Sequence, residues 1–346
     1  MRAELADWTA WLRLTGAGSR AALRRLLRDQ GSLEAAVQAL PPPEPAQRER
    51  QQRSLEWLAA DQGRSLLCLG DADYPEALLN SPDPPLLLFL EGRREQLAAL
   101  PAMAIVGSRH PTPQGLQIAR DFGAQLADAG FAVVSGLAIG IDGAAHEGAL
   151  QQGVSWAVLG SGLDQVHPRS HRGLADRLRE QGLLISEHAP GTPPLPAHFP
   201  VRNRIIAGLC QGCLVVEAAE QSGSLITARL ALEAGRELFA IPGSIHSPQS
   251  RGCHALIQQG AKLVQELADL LPELPRRPPP APAVADPLLD ALGWTPVPLD
   301  LLQRRLDWPL DRLMARLLEL ELDGRVRAVD GGAYLRQPGS SQDGKT

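Results

Sequence analysis

Six short apolar segments in the middle of the chain constrain its fold more than any other feature. Their residues do not alternate between polar and apolar, which indicates strands that are covered on both faces. Stretches with helical spacing separate them, and this alternation predicts an α/β fold with an extended Rossmann-like parallel sheet. The predicted strands cover residues 102–106, 131–135, 156–159, 183–186, 214–216 and 238–241.

The predicted helices lie between these strands, at residues 113–129, 142–151, 174–180, 201–208 and 224–234. Glycines stand where four of these helices end, as is usual for helix C-caps: Gly130, Gly153, Gly182 and Gly235. Two further apolar runs, residues 66–69 and 86–90, are candidates for strands added at the edge of the sheet.

The rest of the 346 residues divides into flanking modules. Residues 1–62 read as a helical domain. Within it, residues 12–20 resemble a helix-hairpin-helix turn, in which glycines let backbone N–H groups approach a phosphate; a plain glycine turn between packed helices explains the pattern equally well. The core then covers residues 63–271. We predict a proline-rich linker at 272–287, a winged-helix domain at 288–337 whose hairpin turns at Asp330-Gly331-Gly332, and a disordered tail at 338–346.

Composition limits the classes of function. The formal net charge is −5, so any binding of nucleic acid must rest on local positive charge and not on the overall charge. Charged residues interrupt the apolar positions of the N-terminus, which argues against a signal peptide. No apolar run approaches the ~20 residues that a membrane span needs. These observations predict a cytoplasmic protein that makes no contact with a membrane.

Small residues follow the predicted strands, at the edge where open α/β sheets bind ligands. Backbone N–H groups in such loops attract anions. Several loops along one edge suit a chain of phosphates better than a single nucleotide. The loops are Gly107-Ser108-Arg109, Ser135-Gly136, Gly160-Ser161-Gly162, Ser222-Gly223-Ser224 and Pro242-Gly243-Ser244.

A predicted helix start next to these loops carries Arg202, Asn203 and Arg204. Arginines near a helix start add positive charge and forked hydrogen-bond donors for a phosphate. The alternative is structural, with Arg202 and Arg204 paired to Glu187 or Glu217 at the sheet edge. Arg109 has a similar alternative, in which it fixes its own loop.

Several common chemistries do not fit the sequence. The loop after residue 106 lacks the Gly-x-Gly-x-x-Gly pattern, and Ser135-Gly136 stands where a dinucleotide site needs an acid. A P-loop match at residues 339–346 has no strand before it and no helix after it. Cys210 and Cys213 lack a second ligand pair at zinc spacing and are expected to enter the core. We therefore predict no cofactor, no metal and no catalytic residue.

Three other residues bear on catalysis. Glu187 and Glu217 are either an acid–base pair or anchors of neighbouring loops. Asp142, four residues before His146, is most simply read as a helix N-cap.

Long ordered motifs between residues 63 and 270 resemble the DNA-processing protein A family, also called Smf. They include Gly107-Ser108-Arg109, residues 135–146, residues 158–164, residues 199–208, residues 222–229 and residues 235–243. The flanking helical segment resembles the sterile-alpha-motif-like domain of that family, and the C-terminal segment resembles its winged helix. Gln114 and His167 stand where the family often has aromatic residues, which leaves fewer surfaces for base stacking.

The resemblance implies a homodimer of the Rossmann-like core that binds single-stranded DNA and loads RecA recombinase onto it in natural transformation, without enzymatic activity. By the same match, Arg109 would pair with a phosphate while Gly107 and Ser108 donate N–H groups. Phe199 would stack on a base. The remaining implied DNA-binding residues are Ser135, Gly136, Arg202, Asn203, Arg204, Ser222, Gly223, Ser224 and, more weakly, Lys262. The implied dimer or RecA contact comprises His254, Leu256, Ile257 and Leu263, although these apolar residues would also serve to pack on the sheet.

Two rival functions remain open from the sequence. Related Rossmann-like phosphoribohydrolases cleave nucleoside monophosphates, but the Pro-Gly-Gly-x-Gly-Thr-x-x-Glu motif of those enzymes is replaced here by residues 217–224. The other rival is a regulator that acts through its winged helix. Arg312 and Arg316 alternate there with Glu319 and Glu321, which favours protein contact over strong DNA reading.

Overall fold

The computed structural model describes residues 2–274, 286–292, 297–306, 308–322, 325–329 and 333–336. Most of the predicted linker, the turn Asp330-Gly331-Gly332 and the tail with its P-loop match lie outside these residues. The chain forms two compact units. Of the described residues, those at 2–26 and 37–274 form the first unit, and those at 27–36 and from 286 onward form the second.

A sheet of nine strands forms the centre of the first unit. In chain order these are β1 (Arg64–Cys68), β2 (Leu87–Gly92), β3 (Ala102–Val106), β4 (Ala132–Ser135), β5 (Ser155–Leu159), β6 (Leu183–Ser186), β7 (Gly212–Val215), β8 (Glu237–Ala240) and β9 (Lys262–Leu263). Their spatial order is β1-β2-β6-β5-β4-β3-β7-β8-β9. All neighbours from β6 to β9 pair in parallel, whereas β2 is antiparallel to both β1 and β6.

The six strands from β5 to β9 reproduce the strand order of a doubly wound dinucleotide-binding sheet. In such a sheet the chain winds outward in both directions from the first strand, here β3. Strand β3 pairs with β4 on one side, where Ala102 lies opposite Ala132. It pairs with β7 on the other side, where Met103 lies opposite Gly212. The strand order therefore reverses between β3 and β7, and their carboxyl ends border a crevice in which ligands commonly bind.

Helices from the part of the chain after residue 100 cover both faces of this sheet. The described helices of the chain before residue 100 are α1 (Arg2–Thr15), α2 (Arg20–Gln30), α3 (Leu33–Gln38), α4 (Pro45–Ala59), α5 (Glu76–Leu79) and α6 (Gln96–Ala99). Those that follow are α7 (Pro113–Asp128), α8 (Ile141–Gln152), α9 (Arg172–Gln181), α10 (His198–Leu209), α11 (Ser224–Glu233) and α12 (Arg251–Gln258). Among the described residues, no helix combines the length and apolarity that a bilayer crossing requires.

The burial pattern explains why the strand sequences do not alternate in polarity. Val133 belongs to the apolar cluster on one face of the sheet, and its neighbour Val134 belongs to the cluster on the other. Ile105 and Val106 divide in the same way. Each consecutive side chain thus enters a dry core, as the sequence predicts for a sheet covered on both faces.

The predicted elements agree closely with the observed ones. The bounds of β3 and β6 are as predicted, and those of β4, β5, β7 and β8 differ by one or two residues. The edge runs become β1 and β2. Gly130 and Gly235 adopt positive φ values of 87° and 68° directly after α7 and α11, which is the left-handed conformation that glycine supplies at a helix end.

The second unit contains α13 (Pro287–Leu292), β10 (Val297–Pro298), α14 (Leu299–Leu306), α15 (Leu310–Leu322), β11 (Val326–Val329) and β12 (Ala333–Arg336). Its three strands form a sheet in the order β10-β12-β11. Leu288, Leu302, Leu313 and Leu317 are fully buried and connect the three helices. This order of helices and hairpin is the winged helix that the sequence predicts.

Candidate nucleic-acid interface

A cleft of about 650 Å³ opens at the carboxyl ends of β3 and β7, at the point where the strand order reverses. We call it the switch-point cleft. It brings together residues that are distant in the sequence. Nine of the predicted DNA-binding residues line it: Gly107, Ser108, Arg109, Phe199, Arg202, Asn203, Ser222, Gly223 and Ser224. Ser135, Gly136, Arg204 and Lys262 do not line it.

The loop after β3 forms one wall of the cleft. A Cβ atom on Gly107 would lie 2.7 Å from the Ile141 side chain and 2.9 Å from the carbonyl oxygen of Glu217, so only glycine fits there. The backbone N–H of Ser108 donates to that same Glu217 carbonyl at 2.7 Å. The expectation that this N–H is available to a ligand is therefore wrong, because it already joins β3 to the segment after β7. The Ser108 hydroxyl, which accepts from the N–H of His110 at 3.0 Å, still has its own proton to donate.

Arg109 is the exposed cation of the cleft. Its guanidinium lies 5.7 Å from the centroid of the Phe199 ring. Within the described part of the chain, no carboxylate forms an ion pair with it. Its recorded contact is with an aromatic ring and not with a carboxylate, so its positive charge is not neutralised by an ion pair.

Phe199 lies in the first turn of α10 and is half-buried. The centroid of its ring lies 5.9 Å from the centroid of the His167 ring. The same centroid lies 6.0 Å from the central carbon of the Arg202 guanidinium. A Cβ atom on Gly160 would stand 3.1 Å from the ring, so this glycine makes room for Phe199. Phe199 is thus held on several sides while part of it faces the cleft.

Arg202 is buried beneath the cleft, with 4% of its surface exposed. Its Nη1 donates to the carbonyl oxygens of Gly136, at 2.9 Å, and of Val158. Its Nε donates to Asn203 Oδ1 at 3.1 Å. Burial lowers the pKa of Arg202 to about 10, although the nearby Asp142 carboxylate opposes this shift. The guanidinium remains charged at neutral pH, but it supports the cleft from below and does not form the exposed basic wall that the sequence predicts.

Asp142 is the acidic partner of this buried arginine, and its prediction as an N-cap is wrong. Helix α8 begins one residue earlier, and its N-cap is Gly140 at a φ of 88°. The Asp142 carboxylate instead accepts the Gly136 N–H at 3.0 Å. Burial raises the pKa of Asp142, while the Arg202 charge and the Gly136 N–H oppose the increase. Asp142, Gly136 and Arg202 form one internal group.

Ser135 and Gly136 therefore lie behind the cleft and not on its surface. The Ser135 hydroxyl donates to the Ile105 carbonyl at 2.6 Å, and the serine is fully buried. A Cβ atom on Gly136 would collide with the Arg202 guanidinium. Both residues position the cleft residues, and neither offers its side chain to a ligand.

Arg204 follows the structural alternative. Its guanidinium contacts Glu187, with Nη2 at 2.5 Å from Oε1, and Asp83, with Nε at 3.2 Å from Oδ2. Arg20 and Arg24 join the same group of charges through Asp83 and Glu187. Arg204 thus shares two carboxylates with two other arginines and does not line the cleft, so the prediction that it supplies free positive charge there is wrong.

The segment Ser222-Gly223-Ser224 begins α11 at the opposite wall of the cleft. The two serine hydroxyls lie 2.7 Å apart, and the Ser224 N–H points to Ser222 Oγ at 3.4 Å. No atom lies within 4 Å of where a Gly223 Cβ would stand, so the space there is open. The N–H groups of Ser222, Leu225 and Ile226 already donate to the carbonyls of Ala219, Ser222 and Gly223. Among the described contacts the Gly223 N–H has no acceptor, so it is the group at this helix start that is left for an anion.

The remaining predicted residues lie at the far edge of the sheet. Lys262 is in β9 and its Nζ contacts Glu273 at 2.8 Å. His254 Nε2 approaches the Gly243 carbonyl at 3.0 Å, and Leu263 is 42% exposed. Leu256 packs in the core of the unit and Ile257 packs against it, so the alternative of sheet packing describes these two residues.

Groups that sequence reasoning considered for catalysis serve as structural contacts. Glu217 accepts from the N–H and hydroxyl of Thr112, at 2.9 and 2.6 Å, and Glu187 pairs with Arg204, so the two carboxylates do not act as one pair. His146 is fully buried and its Nδ1 contacts the Ser155 hydroxyl at 2.7 Å. Cys210 and Cys213 enter the core, as predicted.

The cleft also contains residues that sequence reasoning missed, among them His110, Pro196, Gln221 and Gln249. The Gln249 side chain donates to the His110 carbonyl at 3.1 Å and closes one end of the cleft. His110 directly follows the predicted loop, so extending that loop by one residue would have found it. Nothing in the sequence signals Gln249, which reaches the cleft from beyond β8.

Two family models match this chain. The family DNA recombination-mediator protein A matches residues 65–275, and the DprA winged helix domain matches residues 272–332. Protein Smf of Escherichia coli K12 is 46% identical over 302 residues, which cover 82% of this chain and 80% of that protein. DNA processing protein DprA of Streptococcus pneumoniae R6 is 48% identical over 204 residues, covering 59% of this chain and 72% of that protein.

Two solved structures are also similar. The X-ray structure of DNA processing protein A from Streptococcus pneumoniae superposes with a TM-score of 0.66 at 39% identity, covering 77% of this chain and 97% of that one. DNA processing protein A from Helicobacter pylori superposes with a TM-score of 0.56 at 28% identity, covering 61% of this chain and 97% of that one. The Helicobacter pylori structure concerns the single-stranded DNA binding mode of that protein.

Proposed function

The chain belongs to the DNA recombination-mediator protein A family, and from this premise we propose that it binds single-stranded DNA in its switch-point cleft and loads RecA recombinase onto that DNA during natural transformation. We further propose that it acts without enzymatic activity, as a homodimer of its Rossmann-like core, in the cytoplasm where incoming DNA meets RecA.

One observation carries the DNA-binding part of this proposal. Arg109 is exposed, has no ion pair within the described residues, and lies beside the half-buried Phe199 ring at the carboxyl ends of β3 and β7. A free guanidinium beside an aromatic ring offers a phosphate contact next to a surface for base stacking. Single-strand binders that tolerate sequence combine these two elements.

The predicted DNA-binding residues take different roles in the proposal. Arg109 pairs with a phosphate and Phe199 stacks on a base. The Ser108 hydroxyl, the Gly223 N–H and the hydroxyl pair of Ser222 and Ser224 donate hydrogen bonds. Gly107 lets the strand approach the backbone. Arg202 holds Phe199 and Asn203 from below, and Ser135, Gly136 and Arg204 stabilise the surrounding loops.

Salt titration of oligothymidylate binding tests this assignment. Each phosphate contact to a single strand contributes about −0.7 to the slope of log affinity against log salt concentration. Arg109→Ala should reduce the steepness by about that amount and should weaken binding to all sequences alike. Phe199→Leu should weaken binding by about 1–3 kcal/mol and leave the slope unchanged.

The matched control is Arg177→Ala, which removes an exposed arginine of α9 that does not line the cleft. It should alter neither the affinity nor the slope. Equal affinities for the wild type, Arg109→Ala and Phe199→Leu would refute the cleft as the DNA site. A gel-shift comparison of single-stranded and duplex DNA, with and without RecA, tests the wider proposal.

The geometry gives the hydrolase alternative no support. Glu217, the carboxylate nearest to the position of the missing phosphoribohydrolase motif, is held by Thr112 and does not line the cleft. We expect no release of base from AMP by the purified protein. Base release that disappeared in Glu217→Gln would contradict the non-enzymatic proposal.

A further inference from the structure

A second cavity, of about 640 Å³, lies in the first unit between the N-terminal helices and the edge of the sheet. Residues of α1, the α1–α2 turn and α4 form one side of it. Strand β2 and the segment from Glu187 to Pro193 form the other. The predicted DNA-binding residues of the switch-point cleft do not line this cavity.

The lining of the cavity carries an excess of positive charge. It includes four guanidiniums, from Arg13, Arg20, Arg50 and Arg53, and two carboxylates. Arg20 pairs with Glu187 at 3.1 Å, and Arg53 pairs with Glu49 at 2.8 Å. Two cations therefore remain, Arg13 and Arg50, for which the described residues supply no carboxylate.

Arg13 is the more constrained of these two cations. One of its terminal nitrogens donates to the Pro41 carbonyl at 3.1 Å. Its Nε is buried and has no hydrogen-bond partner within the described residues. Because this Nε has no exposed surface, a ligand in the cavity would meet the terminal nitrogens of Arg13, one of which already donates to Pro41.

The glycine turn that the sequence analysis singled out borders the same cavity. Gly16 N–H donates to the Leu12 carbonyl and Ala17 N–H to the Leu14 carbonyl, so these two groups are occupied. Gly18 also lines the cavity, and its N–H has no acceptor among the described residues. On the opposite side, Leu86, Leu87 and Phe89 lie beside the segment from Glu187 to Pro193, and these three apolar residues are at most 3% exposed.

We propose that this cavity is a second ligand site and that it binds a phosphate-bearing molecule. Arg50, the terminal nitrogens of Arg13 and the Gly18 N–H contact the phosphate. Both a free nucleotide and a nucleic-acid strand carry this chemistry. The site does not depend on the proposed function of the switch-point cleft.

Isothermal titration of the Arg109→Ala protein tests this proposal, because that background removes the free cation of the switch-point cleft. The probes are pyrophosphate, dADP and oligothymidylate. At least one probe should bind. The double substitution Arg13→Gln/Arg50→Gln should lower the affinity for that probe about tenfold or more, which corresponds to about 1.4 kcal/mol. Arg50→Gln alone, at an exposed position that leaves the fold intact, should weaken it about threefold.

The control is Arg25→Gln/Arg177→Gln, which removes the same charge from exposed positions that do not line the cavity. It should leave the affinity unchanged. An effect on oligothymidylate alone identifies a nucleic-acid strand as the ligand, and an effect on dADP or pyrophosphate identifies a free phosphate compound. The proposal is overturned if no probe binds, or if both cavity variants bind every probe as the control does. Failure of the DNA-binding proposal would appear separately, as an unchanged affinity of Arg109→Ala for oligothymidylate relative to the wild type.

Discussion

Asp142→Asn isolates the charge that compensates the buried Arg202. The asparagine side-chain oxygen can still accept the Gly136 N–H, which lies 3.0 Å from the carboxylate in the wild type. The substitution therefore removes the negative charge and keeps the hydrogen bond. Arg202 has a pKa of about 10, so it stays positively charged at neutral pH in the wild type and becomes a buried cation without a counter-charge in the variant.

Removing one partner from a contacting buried ion pair typically costs about 3–5 kcal/mol. The cost here is smaller, because Asp142 acts on Arg202 through its field without an ion-pair contact. Three acceptors also continue to stabilise the guanidinium: the carbonyls of Gly136 and Val158, and Asn203 Oδ1. We therefore expect the free energy of unfolding to fall by about 2 kcal/mol. This is a large part of the roughly 5–15 kcal/mol by which domains are usually stable.

Urea denaturation followed by far-ultraviolet circular dichroism measures this change. The control is Asp164→Asn, the same substitution at an exposed carboxylate that accepts the Gly191 N–H at 2.9 Å. It should cost less than about 1 kcal/mol. Arg202→Gln should lower the free energy of unfolding less in the Asp142→Asn background than in the wild type. A loss below about 1 kcal/mol for Asp142→Asn, or strictly additive effects in this cycle, would refute the reasoning.

Three further predictions concern the interior of the first unit. Gly136→Ala should lower the free energy of unfolding by about 1–3 kcal/mol, because its methyl group overlaps the Arg202 guanidinium; thermal unfolding checks this, and an unchanged midpoint would contradict it. Thiol reagents at mildly alkaline pH should label none of the four cysteines before denaturation, because all are buried and burial raises the pKa of Cys213 and Cys253 to about 12. Acidification should lower stability in part through His146, because burial lowers the pKa of this histidine from 6.5 to about 3. The unfolded state takes up the proton first, so stability is lost as the pH falls below 6.5. A His146→Gln variant whose stability has the same dependence on pH as the wild type would argue against this.

Local sequence predicted the architecture well, because strands, helices and their ends are specified by neighbouring residues. Gly130 and Gly235, for example, mark helix ends through their own backbone preference. The loops that form the switch-point cleft follow in turn from the strand order, since each directly follows a strand.

The burial of each charged side chain, and the partner with which it pairs, could not be predicted in the same way. Arg202 and Arg204 are two residues apart on α10, yet one is buried against Asp142 and the other pairs with Asp83 and Glu187. The partner of each arginine depends on segments that are distant in the sequence. Asp83, for example, precedes Arg204 by more than a hundred residues. The free cation of the cleft, Arg109, is identified only once these pairings are known.

The cavity beneath the N-terminal helices illustrates the same limit. The glycine turn at Gly16 and Gly18 was visible in the sequence, but its opposite wall comes from β2 and from the segment after β6. No spacing rule joins these segments. Their proximity results from the antiparallel insertion of β2 beside β6.

Strand β9 limits how copies of this chain can associate. It is two residues long and forms the last strand of the sheet, so it exposes very few unpaired backbone groups. Short edge strands of this kind prevent the sheet of one molecule from continuing into that of another. Any pairing of copies near Leu263 must therefore depend on the fit between side chains, and it can be strengthened or abolished by single substitutions without altering the sheet.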